Sequence, residues 1–145
     1  MYVAVTDAAF AALTTAGRVT AWGSEEFGGV APVSVSSPAA GEKITAVFAS
    51  KGVFVAVHSS GGISAWGNST SGGDLGTVSW VDLNLTSGVQ SVFSCALGFV
   101  ALDKSGKVGI WGAHNLTSRV HTQPITEVVA DRQRERQPAE SLRVH

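Results

Sequence analysis

The side chains that could bind a metal ion are few and far apart. His114 and His121 lie seven residues apart in a polar stretch. A zinc site needs three or four ligands at compatible spacing, and no third ligand accompanies this pair. His58 ends a predicted strand, and two similar segments have Thr14 and Asp103 at the same place. Because the residue type changes there, we interpret His58 as a structural residue and predict no metal site.

The sequence contains no recognisable catalytic arrangement. Serine, histidine and aspartate occur, but without a nucleophile elbow or the spacing of a triad. Glu25 and Glu26 are adjacent, and adjacent side chains in a strand or loop point apart, which is unsuited to a paired acid and base. The run 103–105 (Asp-Lys-Ser) is typical of a hairpin turn, and the loop 67–76 is only a weak candidate for holding a phosphate. We therefore predict a protein that is not an enzyme and has no catalytic or cofactor-binding residues.

Composition limits the remaining function classes. The net charge is −1, so the body of the protein lacks the basic surface typical of nucleic-acid binding. No apolar run approaches the roughly 18 residues that span a bilayer. Cys95 is the sole cysteine, which excludes an intrachain disulfide and predicts a small buried residue. Charged residues make up only 14%, against about 25% in an average globular protein, which indicates that much of the surface is covered by stacking or by a partner.

Three sequons occur, at Asn68, Asn84 and Asn115, all in predicted loops or at strand ends where glycans would fit. Asn68 and Asn115 hold near-equivalent repeat positions, so duplication of a turn asparagine also explains two of them. The start, MYVAVTDAAF, has no basic region and already resembles a strand. Since no signal peptide is visible, unmodified turn asparagines are favoured, and a cytoplasmic location is the default expectation for an otherwise unknown compartment.

The positions of these residues follow from an internal repeat. Three copies, AFAALTTAGRVTAWG, VFVAVHSSGGISAWG and GFVALDKSGKVGIWG, recur with spacings of 44 and 45 residues. A fixed period in this range means that each copy is one supersecondary unit that buries its apolar face against its neighbours. We expect the repeat core to consist of the aromatic residues that open and close the copies: Phe10, Trp22, Phe54, Trp66, Phe99 and Trp111.

Each copy divides into short segments that alternate with period two, which indicates β-strands. The first segments are 2–5, 44–50 and 89–95, the second are 10–14, 54–58 and 99–103, and the third are 18–23, 62–67 and 107–112. Glycines near 17, 61 and 106 suit the tight turns between the second and third segments. Weaker fourth strands are predicted at 32–37 and 77–85. The sequence thus predicts an all-β partial β-propeller with three four-stranded antiparallel blades.

One family shares these motifs. The string G-x-V-x-x-W-G, followed in the second copy by Asn68 and the GGDLG of 72–76, resembles the repeat of the regulator of chromosome condensation (RCC1-like) family. The resemblance covers residues 1 to about 130, although the first copy has Ser24 in place of the asparagine and the third lacks the GGDLG. It implies a β-propeller in which seven blades normally close a ring. Exchange factors in that family carry an inserted catalytic hairpin that is not found here, so the resemblance implies fold and interaction rather than nucleotide exchange.

The repeat stops before it can close a ring. Residues 124–131 (PITEVVAD) resemble the first strand of a fourth blade, and the chain then becomes polar and arginine-rich. We predict a propeller segment at 1–131 and a tail at 132–145. Three open blades have exposed flanks and strand edges that favour association unless they are covered. The chain could complete a ring with a second copy, belong to a longer polypeptide, or dock against a larger assembly.

The predicted function is therefore a non-catalytic protein–protein interaction or structural module, a subunit or accessory component of a larger assembly. The alternatives are a guanine-nucleotide exchange regulator of a small GTPase, as the resemblance would imply, and a sugar-binding propeller. We expect the segment 124–131 to add a strand to a neighbouring sheet, with the arginines beside it. Trp80 has no counterpart in the other copies and either covers a blade edge or anchors a partner. The predicted interaction residues are Trp80, Ile125, Val129, Arg132, Arg134 and Arg136.

Overall fold

The computed structural model describes residues 1–75 and 88–113, together with the backbone of residues 119–121. These residues form three separate antiparallel sheets, one α-helical turn and two 3-10 turns, as the alternation predicts for an all-β chain. Blade 1 contains β1 (Tyr2–Val5), β2 (Ala9–Leu13) and β3 (Val19–Gly23), and is followed by α1 (Val33–Ser36). Blade 2 contains β4 (Ile44–Ala49), β5 (Val53–His58) and β6 (Ile63–Gly67). Blade 3 contains β7 (Val89–Cys95), β8 (Gly98–Asp103), β9 (Val108–Gly112) and β10 (Arg119–His121).

The repeated sequence produces a repeated register. Each phenylalanine lies directly opposite the tryptophan of its own copy on the neighbouring strand: Phe10 opposite Trp22, Phe54 opposite Trp66 and Phe99 opposite Trp111. The turns between these strands contain Gly17, Gly61 and Gly106 at φ angles of 78°, 89° and 88°. Such positive φ values favour glycine, so the predicted turn chemistry is confirmed.

The predicted fourth strand at 32–37 is wrong. Residues Val33–Ser36 form the helical turn α1, which begins after Pro32. The two valines of this segment would share one face of a strand, but in the helical turn Val35 is fully buried whereas Val33 is 75% exposed. Proline has no backbone N–H and is tolerated at a helix start, where that donor is unpaired anyway. The predicted strand at 77–85 lies outside the described residues, so four-stranded construction is seen only in blade 3, through the short β10.

The apolar core lies between the blades rather than within any one of them. One cluster joins blades 1 and 2, and a second joins blades 2 and 3. The strand β5 supplies both clusters, because its alternate residues point to opposite faces. Phe54 and Ala56 face blade 1, while Val53 and Val55 face blade 3, and all four are completely buried. The middle blade is therefore covered on both sides.

Backbone hydrogen bonds repeat at the two junctions. The N–H of Ile44 donates to the carbonyl of Gly17 at 2.8 Å, and the N–H of Val89 donates to that of Gly61 at 3.0 Å. Each bond links the second turn of one blade to the start of the next blade. In the part of the chain that the structure describes, no helix is long and apolar enough to cross a membrane.

Candidate functional site

Each blade contains, among its described residues, a phenylalanine and a tryptophan whose rings lie against each other. The ring centroids of Phe10 and Trp22 are 5.5 Å apart at 13°, and those of Phe54 and Trp66 are 5.3 Å apart at 31°. In blade 3 the centroids of Phe99 and Trp111 are 5.4 Å apart at 26°. The similar geometry follows from the shared register, since opposite residues of paired strands bring their side chains together on one face.

The pairs differ in what covers them. Phe54 and Trp66 of blade 2 are 0% and 6% exposed, because blade 1 packs over them. Phe99 and Trp111 of blade 3 are both fully buried beneath blade 2. Phe10 is 41% exposed and Trp22 is 47% exposed, since no described residue covers that side of blade 1.

The exposed surface continues onto the first strand. Val3 and Val5 of β1 are 43% and 52% exposed, whereas Ala4 between them is 5% exposed and faces blade 2. Val5 lies opposite Phe10 in the sheet, so the valines and the aromatic pair share one face. We name the surface formed by Val3, Val5, Phe10 and Trp22 the open flank. An apolar surface of this kind, rich in large side chains and with a central tryptophan, is typical of protein interfaces.

The covered junctions show how such a flank is closed. The indole Nε1 of Trp66 donates a hydrogen bond to the carbonyl oxygen of Gly28, at 3.0 Å. Gly28 has a φ of +97°, and a Cβ there would lie 2.6 Å from Cδ2 of Phe54. At the next junction, a Cβ on Gly72 would lie 3.0 Å from Cδ1 of Trp111. A glycine of the preceding blade therefore covers each buried aromatic pair. A Cβ would overlap Phe54 at Gly28 and would lie unusually close to Trp111 at Gly72.

The structure brings together four polar side chains that the sequence did not associate: His58, Ser64, Glu42 and Ser34. Nε2 of His58 lies 2.8 Å from Oγ of Ser64, and Nδ1 of His58 lies 3.3 Å from Oε1 of Glu42, although without the alignment of a hydrogen bond. Oγ of Ser34, on α1, lies 3.1 Å from Oγ of Ser64. Ser64 lies within the regular strand β6 and not on the sharp turn of a nucleophile elbow. Because Ser34 lies on α1, which follows blade 1, and His58 lies in blade 2, the group is best interpreted as a polar contact across the first junction.

Turn chemistry accounts for several of the remaining polar candidates. The carboxylate of Asp103 accepts three hydrogen bonds. The donors are the backbone N–H and the hydroxyl of Ser105 and the backbone N–H of Lys107. Oδ1 of Asn68 accepts from the N–H and hydroxyl of Thr70, at 3.0 and 2.6 Å, and so caps a 3-10 turn. Both interactions are the local side chain-to-backbone bonds that favour turns.

Two sequence expectations can be compared with the structure directly. Glu25 and Glu26 lie exposed in a 3-10 turn, as expected for a solvated turn. Cys95 is exposed, so the prediction of a buried cysteine is wrong. It lies opposite Gly98, at the end of β7 where the hairpin turns, and a strand end is covered on fewer sides than a strand centre.

Two further features offer little chemistry. A shallow depression of about 380 Å³ lies between β1 and β4. It is lined by Tyr2, Leu13, Thr45, Ala46, Val47 and Phe48, which include no acid or cation. Within residues 1–75 and 88–113, no group of three or more potential metal-ligating side chains comes together.

The residues that the sequence assigned to partner binding lie outside the described residues, as do the sequons at Asn84 and Asn115 and the side chains of His114 and His121. The assigned set consists of Trp80, Ile125, Val129, Arg132, Arg134 and Arg136. The open flank therefore stands as the candidate site. The sequence indicated Phe10 and Trp22 as part of the repeat core, but it did not predict that this pair would be exposed.

Comparisons with known proteins address the fold. No family model matches the sequence, and no curated protein matches it. Among solved structures, the chain is similar to yeast RCC1 (Prp20) bound to Kap60, with a TM-score of 0.63 at 17% identity over 86% of this chain. A structure of Prp20p from Saccharomyces cerevisiae gives a TM-score of 0.60 at 19% identity over 84%. The chain has the RCC1-like propeller fold.

A third solved structure agrees with this result. Human WBSCR16 has a TM-score of 0.55 at 22% identity over 84% of this chain. The chain spans 37% of WBSCR16 and 37% and 38% of the two yeast structures. All three blades therefore correspond to little more than a third of each neighbour, and the likeness extends to fold and not to activity.

Proposed function

We propose that this chain is a non-catalytic protein–protein interaction module, a subunit or accessory component of a larger assembly, which binds its partner through the open flank. One observation carries the proposal: Phe10 and Trp22 are nearly half exposed, while the same pair is buried in blades 2 and 3. Exposed tryptophan and phenylalanine in a central apolar patch are the side chains that contribute most to binding when desolvated.

Similarity to the neighbours supports an interaction role. One yeast structure is that of Prp20 bound to Kap60, and the other was described together with the binding properties of Prp20p to Gsp1p and histones. Those partners belong to Prp20. For this chain they support the general role of a propeller that binds proteins, and the open flank supplies a specific surface for it.

Site-specific photo-crosslinking tests this function. A photoreactive phenylalanine analogue placed at Phe10 in the full chain, expressed in its native cells, should give covalent adducts with a discrete protein. The matched control places the analogue at Val33, which is 75% exposed but lies on α1, away from the open flank. Adducts at Phe10 that are absent at Val33, and that disappear with Trp22→Ser, support the proposal. Equal adducts at both positions, or none at Phe10, would contradict it.

A further inference from the structure

Charged side chains are distributed unevenly between the two ends of the sheets. One end, which we name the turn end, is formed by the turns 14–18, 58–62 and 103–107 and by the segments that lead into β4 and β7. Its charged residues are Arg18, Lys43, Lys104, Lys107, Glu42 and Asp103. The opposite end contains the loops between the first and second strands and the first 3-10 turn, with Asp7, Glu25, Glu26 and Lys51. Positive charge is therefore in excess at the turn end and negative charge at the other.

Backbone hydrogen bonds hold the loops of the turn end in a row. The N–H of Ser59 donates to the carbonyl of Lys43 at 2.7 Å, and the N–H of Lys104 donates to the carbonyl of Gly88 at 2.8 Å. The two junction bonds described above, which end on Gly17 and on the turn of blade 2, link the same loops. The cations of the turn end are thus carried by one connected surface that runs from blade 1 to blade 3.

Three of these cations are exposed and form no ion pair. Arg18, Lys43 and Lys104 are all exposed, and no carboxylate of residues 1–75 and 88–113 forms a salt bridge with any of them. Arg18 and Lys43 lie in segments that touch, because a Cβ on Gly17 would lie 2.6 Å from Cβ of Lys43. Their positive charges are therefore directed to solvent.

The two acids of the turn end are occupied by local donors. Oε1 of Glu42 accepts a hydrogen bond from the hydroxyl of Ser60 at 2.6 Å and also faces His58. Asp103 is buried, and its carboxylate accepts the three bonds of its own turn. Neither carboxylate pairs with the exposed cations, so the turn end keeps its positive character.

From this distribution we infer that the turn end binds an extended acidic segment of a partner protein, whose carboxylates lie against Arg18, Lys43 and Lys104. This surface is separate from the open flank, so the inference goes beyond the function proposed above. Stacked sheets lie about 10 Å apart and an extended chain rises about 3.3 Å per residue, so a row of three blades accommodates about six residues. Charge complementarity of this kind directs the approach of a partner and fixes its orientation.

Nucleic acid fits the turn end less well than a short acidic peptide. Strong nucleic-acid binding commonly involves about 6–10 phosphate contacts, whereas the exposed, unpaired cations described here are three. The carboxylates of Glu42 and Asp103 also directly precede Lys43 and Lys104 in the chain, and would repel a continuous row of phosphates. A peptide can place its carboxylates at alternate residues on one side and avoid these acids.

Fluorescence anisotropy with a labelled acidic peptide tests the inference. The probe is an eight-residue peptide of alternating glutamate and serine, titrated with the full chain at low ionic strength. A peptide of the same length with lysine in place of glutamate is the control. The acidic peptide should bind and the lysine peptide should not. Added salt should weaken the binding, because screening acts on exposed charges.

Charge removal at the turn end provides the decisive comparison. The triple variant Arg18→Ser, Lys43→Ser and Lys104→Ser should weaken binding of the acidic peptide at least tenfold. Lys51→Ser removes an exposed lysine from the opposite end and should leave the binding unchanged. Trp22→Ser, on the open flank, should also leave it unchanged, so that failure here and failure of the proposed function are distinguishable.

Three results would overturn the inference. The first is no binding of the acidic peptide, and the second is an equal weakening by Lys51→Ser and by the triple variant. The third is an eight-nucleotide single-stranded DNA that binds more tightly than the peptide and loses its affinity in the triple variant, which would identify nucleic acid as the occupant. Binding of the acidic peptide alone, lost in the triple variant and kept in Lys51→Ser, supports the inference.

Discussion

The hydrogen bond from the indole of Trp66 to the carbonyl of Gly28 crosses the boundary between blades 1 and 2. Gly28 also lies against Phe54, whose ring contacts that of Trp66. One glycine of the preceding blade therefore satisfies the polar atom of the buried pair and covers its rings. The contribution of each tryptophan to stability should therefore depend on whether a preceding blade covers it, although all three occupy equivalent positions in the repeat.

Tryptophans at equivalent positions should contribute unequally to stability. Trp66→Ala removes a buried side chain and should lower the free energy of unfolding by about 3–5 kcal/mol. Trp22→Ala removes a side chain that is nearly half exposed but stacks on Phe10, and we expect a smaller loss of about 1–2 kcal/mol. Denaturant unfolding followed by circular dichroism measures both. Equal losses for the two variants would contradict the burial difference, and an unchanged Trp66→Ala would refute the blade assignment.

Glycines at positive φ should differ according to their neighbours. Gly28→Ala and Gly41→Ala both place an alanine in the left-handed region, at φ of +97° and +81°, which costs about 1–2 kcal/mol. Only the Gly28 variant also forces a Cβ against Phe54, whereas a Cβ at Gly41 has no atom within 4 Å. Overpacking adds about 1–3 kcal/mol, so Gly28→Ala should have the clearly lower unfolding midpoint. The prediction fails if Gly41→Ala is equally destabilised.

The caps of the two 3-10 turns provide a matched pair. Asn68 accepts a hydrogen bond from the N–H of Thr70, while Ser24 at the equivalent position of blade 1 makes no side-chain cap bond. Asn68→Ala should therefore lower stability by about 1 kcal/mol, and Ser24→Ala should change it little. Thermal unfolding of the two variants checks the difference, and a larger loss from Ser24→Ala would reverse the assignment.

The polar contact of His58 should be structural. His58→Ala removes the partner of Ser64 and leaves Glu42 facing a cavity, so we expect a loss of about 1–3 kcal/mol. Ser64→Ala removes only the hydroxyl between Ser34 and His58 and should cost less. Chemical denaturation measures both losses. Hydrolysis of an activated ester by the full chain that both variants abolish would indicate instead that these residues form a catalytic group.

Local sequence carried most of the information about the strands. The predicted segments 2–5 and 89–95 coincide with β1 and β7, since alternation and turn glycines depend only on residues near in the chain. The segment 32–37 alternates as well, yet it forms α1 and buries Val35 alone. Its conformation depends on packing against blade 2, where Val35 is buried. That packing involves residues distant in the sequence, so the local pattern does not predict it.

The candidate site divides in the same way. The sequence by itself determined that Phe10 and Trp22 pair across one sheet, because the 44- and 45-residue spacings align every copy. Only the tertiary structure decided that this pair is exposed while Phe54 and Trp66 are buried, and that His58, Ser64 and Glu42 meet. Burial depends on which blade stacks on which face, so equal residues in equal strands acquire different roles when one has a neighbour and the other has none.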